Sequence, residues 1–201
     1  MANSLSVHLV KELREKTGAA IMDCKKALEV SKGNIDEAEK WLRQQGIAKA
    51  KKKSERLTPE GVIASYIHAG DKIGVLVEVN CETDFVARTP TFKELAKEVA
   101  IQIAAASPRY LSKEDIPKEV LDEERQKIIE SLKGQNKEDL DKVVQEKLEK
   151  FIVDSCLLEQ PFVKDQSMTV RDLICRRIAQ VGENIVVRRF VRFQLGEEIE
   201  N

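Results

Sequence analysis

The spacing of the apolar residues changes abruptly at Gly61. Before it, apolar side chains recur every three or four residues, as on one face of a helix; after it, they alternate with other residues in GVIASYIH and KIGVLVEVN. The short AGD connection between these runs predicts a β-hairpin. Helical spacing then returns until NIVVRRFVRFQL, which predicts a third strand. The chain should therefore be α+β, with a small three-stranded antiparallel sheet in one layer and helices in the other.

The first 46 residues predict three short helices around one small core. Gly18 ends the first helix, and Gly33 with Asn34 separates the second from the third, which should end at Gly46. The only tryptophan, Trp41, is expected at the centre of this core. The apolar stripes of the three helices are Leu9, Val10 and Leu13; Ile21, Cys24, Ala27 and Leu28; and Ile35, Ala38, Trp41 and Leu42.

A basic stretch, AKAKKKSERLTPEG, follows these helices without apolar periodicity. It is typical of a linker or a helix tail, and it predicts an N-terminal domain over 1–55 and a core domain over 56–201. Its four lysines are also compatible with nucleic-acid binding. No aromatic residue is interleaved for base stacking, which favours the linker.

The core domain should carry long helices and one mixed sheet face. A stripe beginning at Phe92 predicts one helix, and two charged stripes joined by GQN predict a helical hairpin over about 118–156. In the last strand, Ile185, Val187, Val191, Phe193 and Leu195 should share one face. The other face, with Val186, Arg188, Phe190 and Arg192, is too apolar for free solvent, which predicts contact with another surface.

Composition argues against several classes of protein. The 34 basic and 35 acidic residues nearly balance, so no net positive charge is available to attract nucleic acid. The sequence contains no run of eighteen apolar residues that would suggest a membrane span. The start of the chain lacks the sections of a secretion signal, so we expect a cytoplasmic protein. Four scattered cysteines and two histidines predict neither disulfides nor a metal site, and no cofactor is expected. No phosphate-binding loop, GxSxG elbow or HExxH helix is present, so catalysis is unsupported.

The stretch NCETDFVARTP, directly after the second strand, is the candidate site. Thr83 is suited to cap a helical turn, Asp84 supplies a charge, and Phe85 offers a rigid apolar wedge. Pattern alone leaves two alternatives for Phe85: it is presented to a partner, or it folds back into the core. His68 at the hairpin turn is likewise either a turn residue or a surface contact.

Three stretches carry a resemblance to one family. VKELREKTGAAIMDCKKAL (10–28) and GVLVEVNCETDFVAR (74–88) resemble the two signatures of translation elongation factor Ts, and QPFVKD with GENIVVRRFVRFQLGE (160–197) resembles its C-terminal stretch. They occur in the family's order and span nearly the whole chain. The resemblance implies a guanine-nucleotide exchange factor that binds elongation factor Tu carrying GDP, promotes GDP release and then yields to GTP.

The resemblance also implies roles for particular residues. The N-terminal module would be ubiquitin-associated-like and dock on the nucleotide-binding domain of Tu, and the TDFVA element would dislodge Mg²⁺ there. The SYxHxG turn matches Ser65, Tyr66, His68 and Gly70, which makes His68 a Tu contact. The residues assigned to Mg²⁺ dislocation are Thr83, Asp84, Phe85, Val86 and Ala87, and the other contacts are His68, Leu13, Arg14, Thr17, Gly18, Asp23, Cys24 and Lys25.

Longer members of the family carry two core subdomains, whereas this chain has one hairpin bearing both the histidine turn and the TDFVA element. It therefore resembles the short form, which is expected to pair two chains, with the face of Val186 and Phe190 as the candidate seam. The helical hairpin resembles the family's coiled-coil arm. Two alternatives stay open: an RNA- or ribosome-associated protein using Lys49–Lys53 and the arginines of the last strand, and a ubiquitin-type adaptor. The compartment would be a bacterial-type cytoplasm or an organelle derived from one.

Overall fold

A computed structural model describes residues 7–132 and 137–198. The fold is α+β, which confirms the class expected from the apolar spacing. A small antiparallel sheet has the strand order β1-β2-β5, and a second sheet pairs β3 with β4. In chain order the elements are α1 Val7–Thr17, α2 Ile21–Val30, α3 Ile35–Lys51, β1 Glu60–Ile67, β2 Ile73–Cys81, α4 Asp84–Ala87, α5 Pro90–Ala106, α6 Lys118–Ser131, α7 Lys137–Ser155, β3 Pro161–Phe162, β4 Asp165–Thr169, α8 Val170–Val181 and β5 Ile185–Gln194.

The N-terminal helices form a core of small residues. Asn34 caps α3 by accepting a hydrogen bond from the backbone N–H of Glu37, as its position after Gly33 suggested. Two expectations were wrong: α3 continues past Gly46 to Lys51, and Trp41 is only partly buried. The fully buried residues are Leu13, Cys24, Ala27, Leu28 and Ala38.

Helix packing explains the place of Trp41. The alanines at the centre let the helix backbones approach closely, and this leaves no volume for an indole ring. Trp41 packs at the edge of the core instead, with the Lys26 ammonium 6.0 Å from its ring centroid. Ile21, predicted in the apolar stripe, is exposed because the stripe begins only at Cys24.

The central strand β2 buries the face that its alternation predicted. Val75, Val77 and Val79 are buried, whereas Leu76 between them is exposed. Gly61 of β1 lies so close to β2 that an added Cβ would be 2.2 Å from the carbonyl oxygen of Val79. Only a residue without a side chain fits at this place in the sheet.

Strand β5 departs from the prediction. Ile185 and Val187 are buried as expected, but Val191, Phe193 and Leu195 are exposed and Phe190 is partly buried. The alternation slips by one residue at Arg188 and Arg189, which are both exposed and both lie against the Glu78 carboxylate, at 3.9 and 2.7 Å. The predicted grouping of the apolar residues on one face was therefore wrong beyond Arg189.

Helices α6 and α7 occupy the predicted hairpin region and pack on each other through Ile128, Leu132 and Val144. The GQN connection lies outside the described residues. The small sheet of β3 and β4 was not predicted from the sequence. Its first strand has only two residues, with Phe162 buried, and a run this short leaves no alternation to recognise.

Contacts group the described residues into two compact units. One contains the N-terminal helices through Ile63, with Val79–Ala96 and Asp172–Val186. The other contains Ala64–Glu78, the described part of Lys97–Arg171, and the chain from Val187 onward. The TDFVA element thus belongs to the same unit as the N-terminal helices, and His68 belongs to the other.

Candidate functional site

A single helical turn follows the end of β2. Thr83 stands in extended conformation at its N-cap and accepts a hydrogen bond from the backbone N–H of Val86 at 3.3 Å. The predicted capping role of Thr83 is thereby confirmed. Val86 and Ala87 are each only 6% exposed, so the far side of the turn is fixed in the core.

Asp84 and Phe85 lie on the opposite side of the same turn, and Phe85 is 77% exposed. The alternative in which Phe85 folds back into the core was therefore wrong. Leaving such a ring in water forgoes about 2 kcal/mol of burial. The Asp84 carboxylate pairs with Arg88 at 2.9 Å, and both line a shallow concavity beside Phe85. This pair is exposed and worth less than about 1 kcal/mol, so either side chain is free to exchange partners.

The start of the turn is also held from a distant part of the chain, which sequence analysis missed. Thr83 donates two hydrogen bonds to the Glu183 carboxylate, one from its backbone N–H at 3.0 Å and one from its hydroxyl at 2.6 Å. The backbone N–H of Asn184 in turn donates to the Glu82 carboxylate at 2.6 Å. A separation of about a hundred residues gives no local pattern that could reveal these contacts.

His68 directly follows the first strand of the hairpin and is exposed. Its backbone N–H donates to the Ile73 carbonyl at 2.9 Å, so it is part of the turn. Its ring also lies beside Tyr66, whose hydroxyl is 3.1 Å from the His68 Nδ1. Because Nδ1 is engaged by Tyr66, the Nε2 edge is the one that remains for a contact outside the chain.

The predicted N-terminal contact residues divide into two groups. Arg14, Gly18 and Lys25 are exposed, and Asp23 is half-buried beside the Lys49 ammonium at 2.7 Å. The other three are buried: Leu13, Thr17 and Cys24. Thr17 is occupied within the unit, since its hydroxyl donates to the Leu13 carbonyl and its carbonyl accepts from Gln180 of α8.

The cysteines behave as small apolar residues. Cys24, Cys81 and Cys156 are buried and free, and Cys175 is partly buried. Burial raises the pKa of Cys24, and it raises the pKa of Cys81 and of Cys156 to about 11. Thiols protonated this firmly are poor nucleophiles and poor metal ligands.

Within the described ranges, no group of three or more histidine, cysteine or acidic side chains could hold a metal ion. Across the same residues, no helix is both long and apolar enough to cross a membrane.

Three of the basic residues behind the RNA-binding alternative lie against carboxylates of the chain. Lys49 pairs with Asp23, while Arg188 and Arg189 lie against Glu78. A phosphate-binding surface needs cations that face solvent without a carboxylate partner. Lys49, Arg188 and Arg189 therefore do not meet this requirement.

The fold and the turn together define an α+β protein that carries an exposed aromatic side chain, Phe85, on a turn anchored in the core. Its family follows from comparison with known proteins. The family model described as Elongation factor TS matches residues 22–197. The chain belongs to the elongation factor Ts family.

Several curated relatives agree. The chain is 98% identical over 201 residues, covering all of both sequences, to Elongation factor Ts of Methylacidiphilum infernorum. It is 52% identical over 195 residues to Elongation factor Ts of Carboxydothermus hydrogenoformans, covering 96% of this chain and 90% of that protein. It is also 52% identical over 195 residues to Elongation factor Ts of Thermodesulfovibrio yellowstonii, covering 96% of this chain and 98% of that protein.

Proposed function

We infer that this chain is the guanine-nucleotide exchange factor of elongation factor Tu in translation elongation. The observation that carries this is the 98% identity to an Elongation factor Ts over the full length of both proteins. The factor binds Tu carrying GDP, speeds the release of GDP, and leaves when GTP binds. No covalent bond is made or broken, so the function requires a binding surface and no catalytic residues. The site of action is the cytoplasm, where Tu works.

The TDFVA element is the part of the surface that we propose acts on the nucleotide site of Tu. Mg²⁺ bridges the phosphates of a bound nucleotide, so a small displacement of the segments that support it weakens the whole site. Phe85 is exposed, rigid and mounted on a turn fixed by Val86 and Ala87, which is what a wedge requires. Asp84 exchanges Arg88 for polar groups of Tu and holds the displaced backbone.

The N-terminal helices provide the second contact, as a module that resembles the ubiquitin-associated fold over residues 1–55. Arg14, Gly18 and Lys25 are exposed and make the direct contacts with the nucleotide-binding domain of Tu. Leu13, Thr17 and Cys24 are buried, and they act by setting the packing of the helices that carry the exposed residues. His68 makes a separate contact through its Nε2 edge.

Thermodynamic reciprocity gives a direct test of exchange. If the factor weakens GDP binding to Tu, GDP must weaken binding of the factor by the same ratio. We expect the dissociation constant for Tu, measured by titration calorimetry, to rise about a hundredfold when saturating GDP and Mg²⁺ are added. Equal affinities with and without GDP would show a Tu-binding protein that is not an exchange factor.

We propose that two copies of the chain pair through an outer sheet face formed by β2, β5 and the end of β1. Gly74 lies under the Ile67 side chain, which places Ile67 and Leu76 on the same face. Arg189 of β5 contacts Glu78, which is two residues after Leu76 in β2, so the alternate residues after Arg189 share this face. The exposed apolar side chains of this face are Ile67, Leu76, Val191, Phe193 and Leu195. An exposed apolar surface of this extent is typical of a protein interface. The proposed seam thus moves from Phe190, which is partly buried, to Phe193.

Substituting Phe193→Glu should dissociate this dimer, because each copy would have to bury a carboxylate without a partner. We expect a dimer at micromolar concentration in sedimentation equilibrium, and a dissociation constant raised at least about a hundredfold by the substitution. Val30→Glu is the matched control, since Val30 is 56% exposed at the end of α2 and belongs to the other unit. A parent chain that sediments as a monomer would refute the pairing.

A further inference from the structure

Two short segments hold each other through their side chains: Glu82–Thr83 before α4 and Glu183–Asn184 before β5. The Glu183 carboxylate accepts from the backbone N–H and the hydroxyl of Thr83. The Glu82 carboxylate accepts from the backbone N–H of Asn184. Each segment thus satisfies a backbone donor of the other, and we call this arrangement the crossed clasp.

One end of the crossed clasp is anchored in the core. Asn184 is 3% exposed, and its side-chain amide donates to the Arg56 carbonyl at 3.1 Å and to the Ser54 carbonyl at 3.5 Å. The Arg56 guanidinium also lies 3.4 Å from the Glu82 carboxylate. The position of Glu183 next to Asn184 is therefore determined by the fold, and Thr83 is held against a fixed point.

The helical turn that carries Phe85 needs such a support. Helix α4 has four residues, too few to be stable without outside contacts. The Thr83 hydroxyl has two roles, because its hydrogen points to Glu183 while its oxygen accepts from the Val86 N–H. Glu183 thereby orients the cap, and the cap sets the direction of the exposed ring.

We propose that Glu183 is a positioning residue for nucleotide exchange, whose carboxylate fixes the Thr83 cap and so the orientation of Phe85. This rests on the proposed function and adds a residue to it. Glu183 acts through Phe85 and does not itself touch the nucleotide site of the partner. A purely structural role would lower stability without depending on whether Phe85 is present.

A double-substitution cycle separates these roles. In stopped-flow release of fluorescent GDP from Tu, Glu183→Ala should lower the maximal rate at saturating factor about tenfold, as expected for losing hydrogen bonds to one carboxylate. The same substitution in a Phe85→Ala background should change the rate less than about twofold. Glu183→Gln, which keeps one acceptor oxygen, should recover part of the rate. Glu159→Ala is the control. Glu159 is half-buried like Glu183 and its carboxylate is also engaged, in this case by Arg171, but it lies in the other unit.

Amide hydrogen exchange of the free protein gives a readout that does not depend on Tu. Glu183→Ala should speed exchange of the Thr83 and Val86 amides about tenfold and leave the amides of α3 unchanged. Unchanged protection at Thr83 and Val86 would overturn the positioning role even if exchange on Tu failed for another reason. An equal loss of GDP release with and without Phe85 would overturn it as well, and would leave the proposed function standing.

Discussion

Phe85→Ala is expected to lower the acceleration of GDP release from Tu about a hundredfold, the size of effect found when a central aromatic contact is removed. The ring is 77% exposed, so truncating it opens no cavity in the free protein. The thermal unfolding midpoint should therefore stay within about 2 °C of the parent, since exposed substitutions change stability by less than about 0.5 kcal/mol. The substitution removes the exposed ring and leaves the helical turn that carries it intact.

Leu57→Ala serves as the control for loss of exposed apolar surface. Leu57 is 86% exposed in the same unit but follows α3 and belongs to no proposed contact. The Leu57→Ala variant should accelerate GDP release from Tu as much as the parent does. If Phe85→Ala accelerated GDP release as much as this control does, the proposed role of Phe85 would be wrong, whereas the exchange function would be unaffected.

Gly61→Ala is expected to destabilise the protein by about 4 kcal/mol, the range of a steric conflict in a sheet that cannot relax. A Cβ at this position would meet the Val79 carbonyl oxygen at 2.2 Å and the Asn80 Cα at 2.7 Å. Both are backbone atoms of the central strand, so neither can rotate away, and β1 must separate from β2. Urea unfolding followed by far-ultraviolet circular dichroism measures the change in free energy.

Gly46→Ala is the matched control within the same unit. Gly46 lies inside α3, where an added Cβ would make an ordinary contact, 3.6 Å from the Cys175 carbonyl oxygen. Alanine stabilises a helix interior by up to about 1 kcal/mol relative to glycine, so this variant should be as stable as the parent or more so. Similar destabilisation of both variants would mean that the strand contact at Gly61 is not the cause.

Local chemistry explains why much of the fold could be predicted. The strict alternation of β2 determines which of its side chains face the core of a half-buried sheet. Gly33 with Asn34 indicates a break between two helices. The failures come from tertiary packing. Trp41 lies at the edge because alanines bring the helices too close for it, and β5 changes face where two consecutive arginines reach Glu78.

The candidate site shows the same limit. The cap at Thr83 was predictable because its partner is three residues away. The orientation of Phe85 was not, since an exposed and a buried ring have the same local sequence. Glu183 could not be predicted because it lies 100 residues from Thr83 in the chain, so no local pattern connects the two residues.

The most direct test of the central claim is stopped-flow release of fluorescent GDP from elongation factor Tu at increasing concentrations of this protein. We predict that the release rate rises with concentration and then saturates, as it must when a complex of Tu, GDP and factor forms before GDP leaves. A release rate that does not change at any concentration of the correctly folded protein would contradict the assignment as an exchange factor.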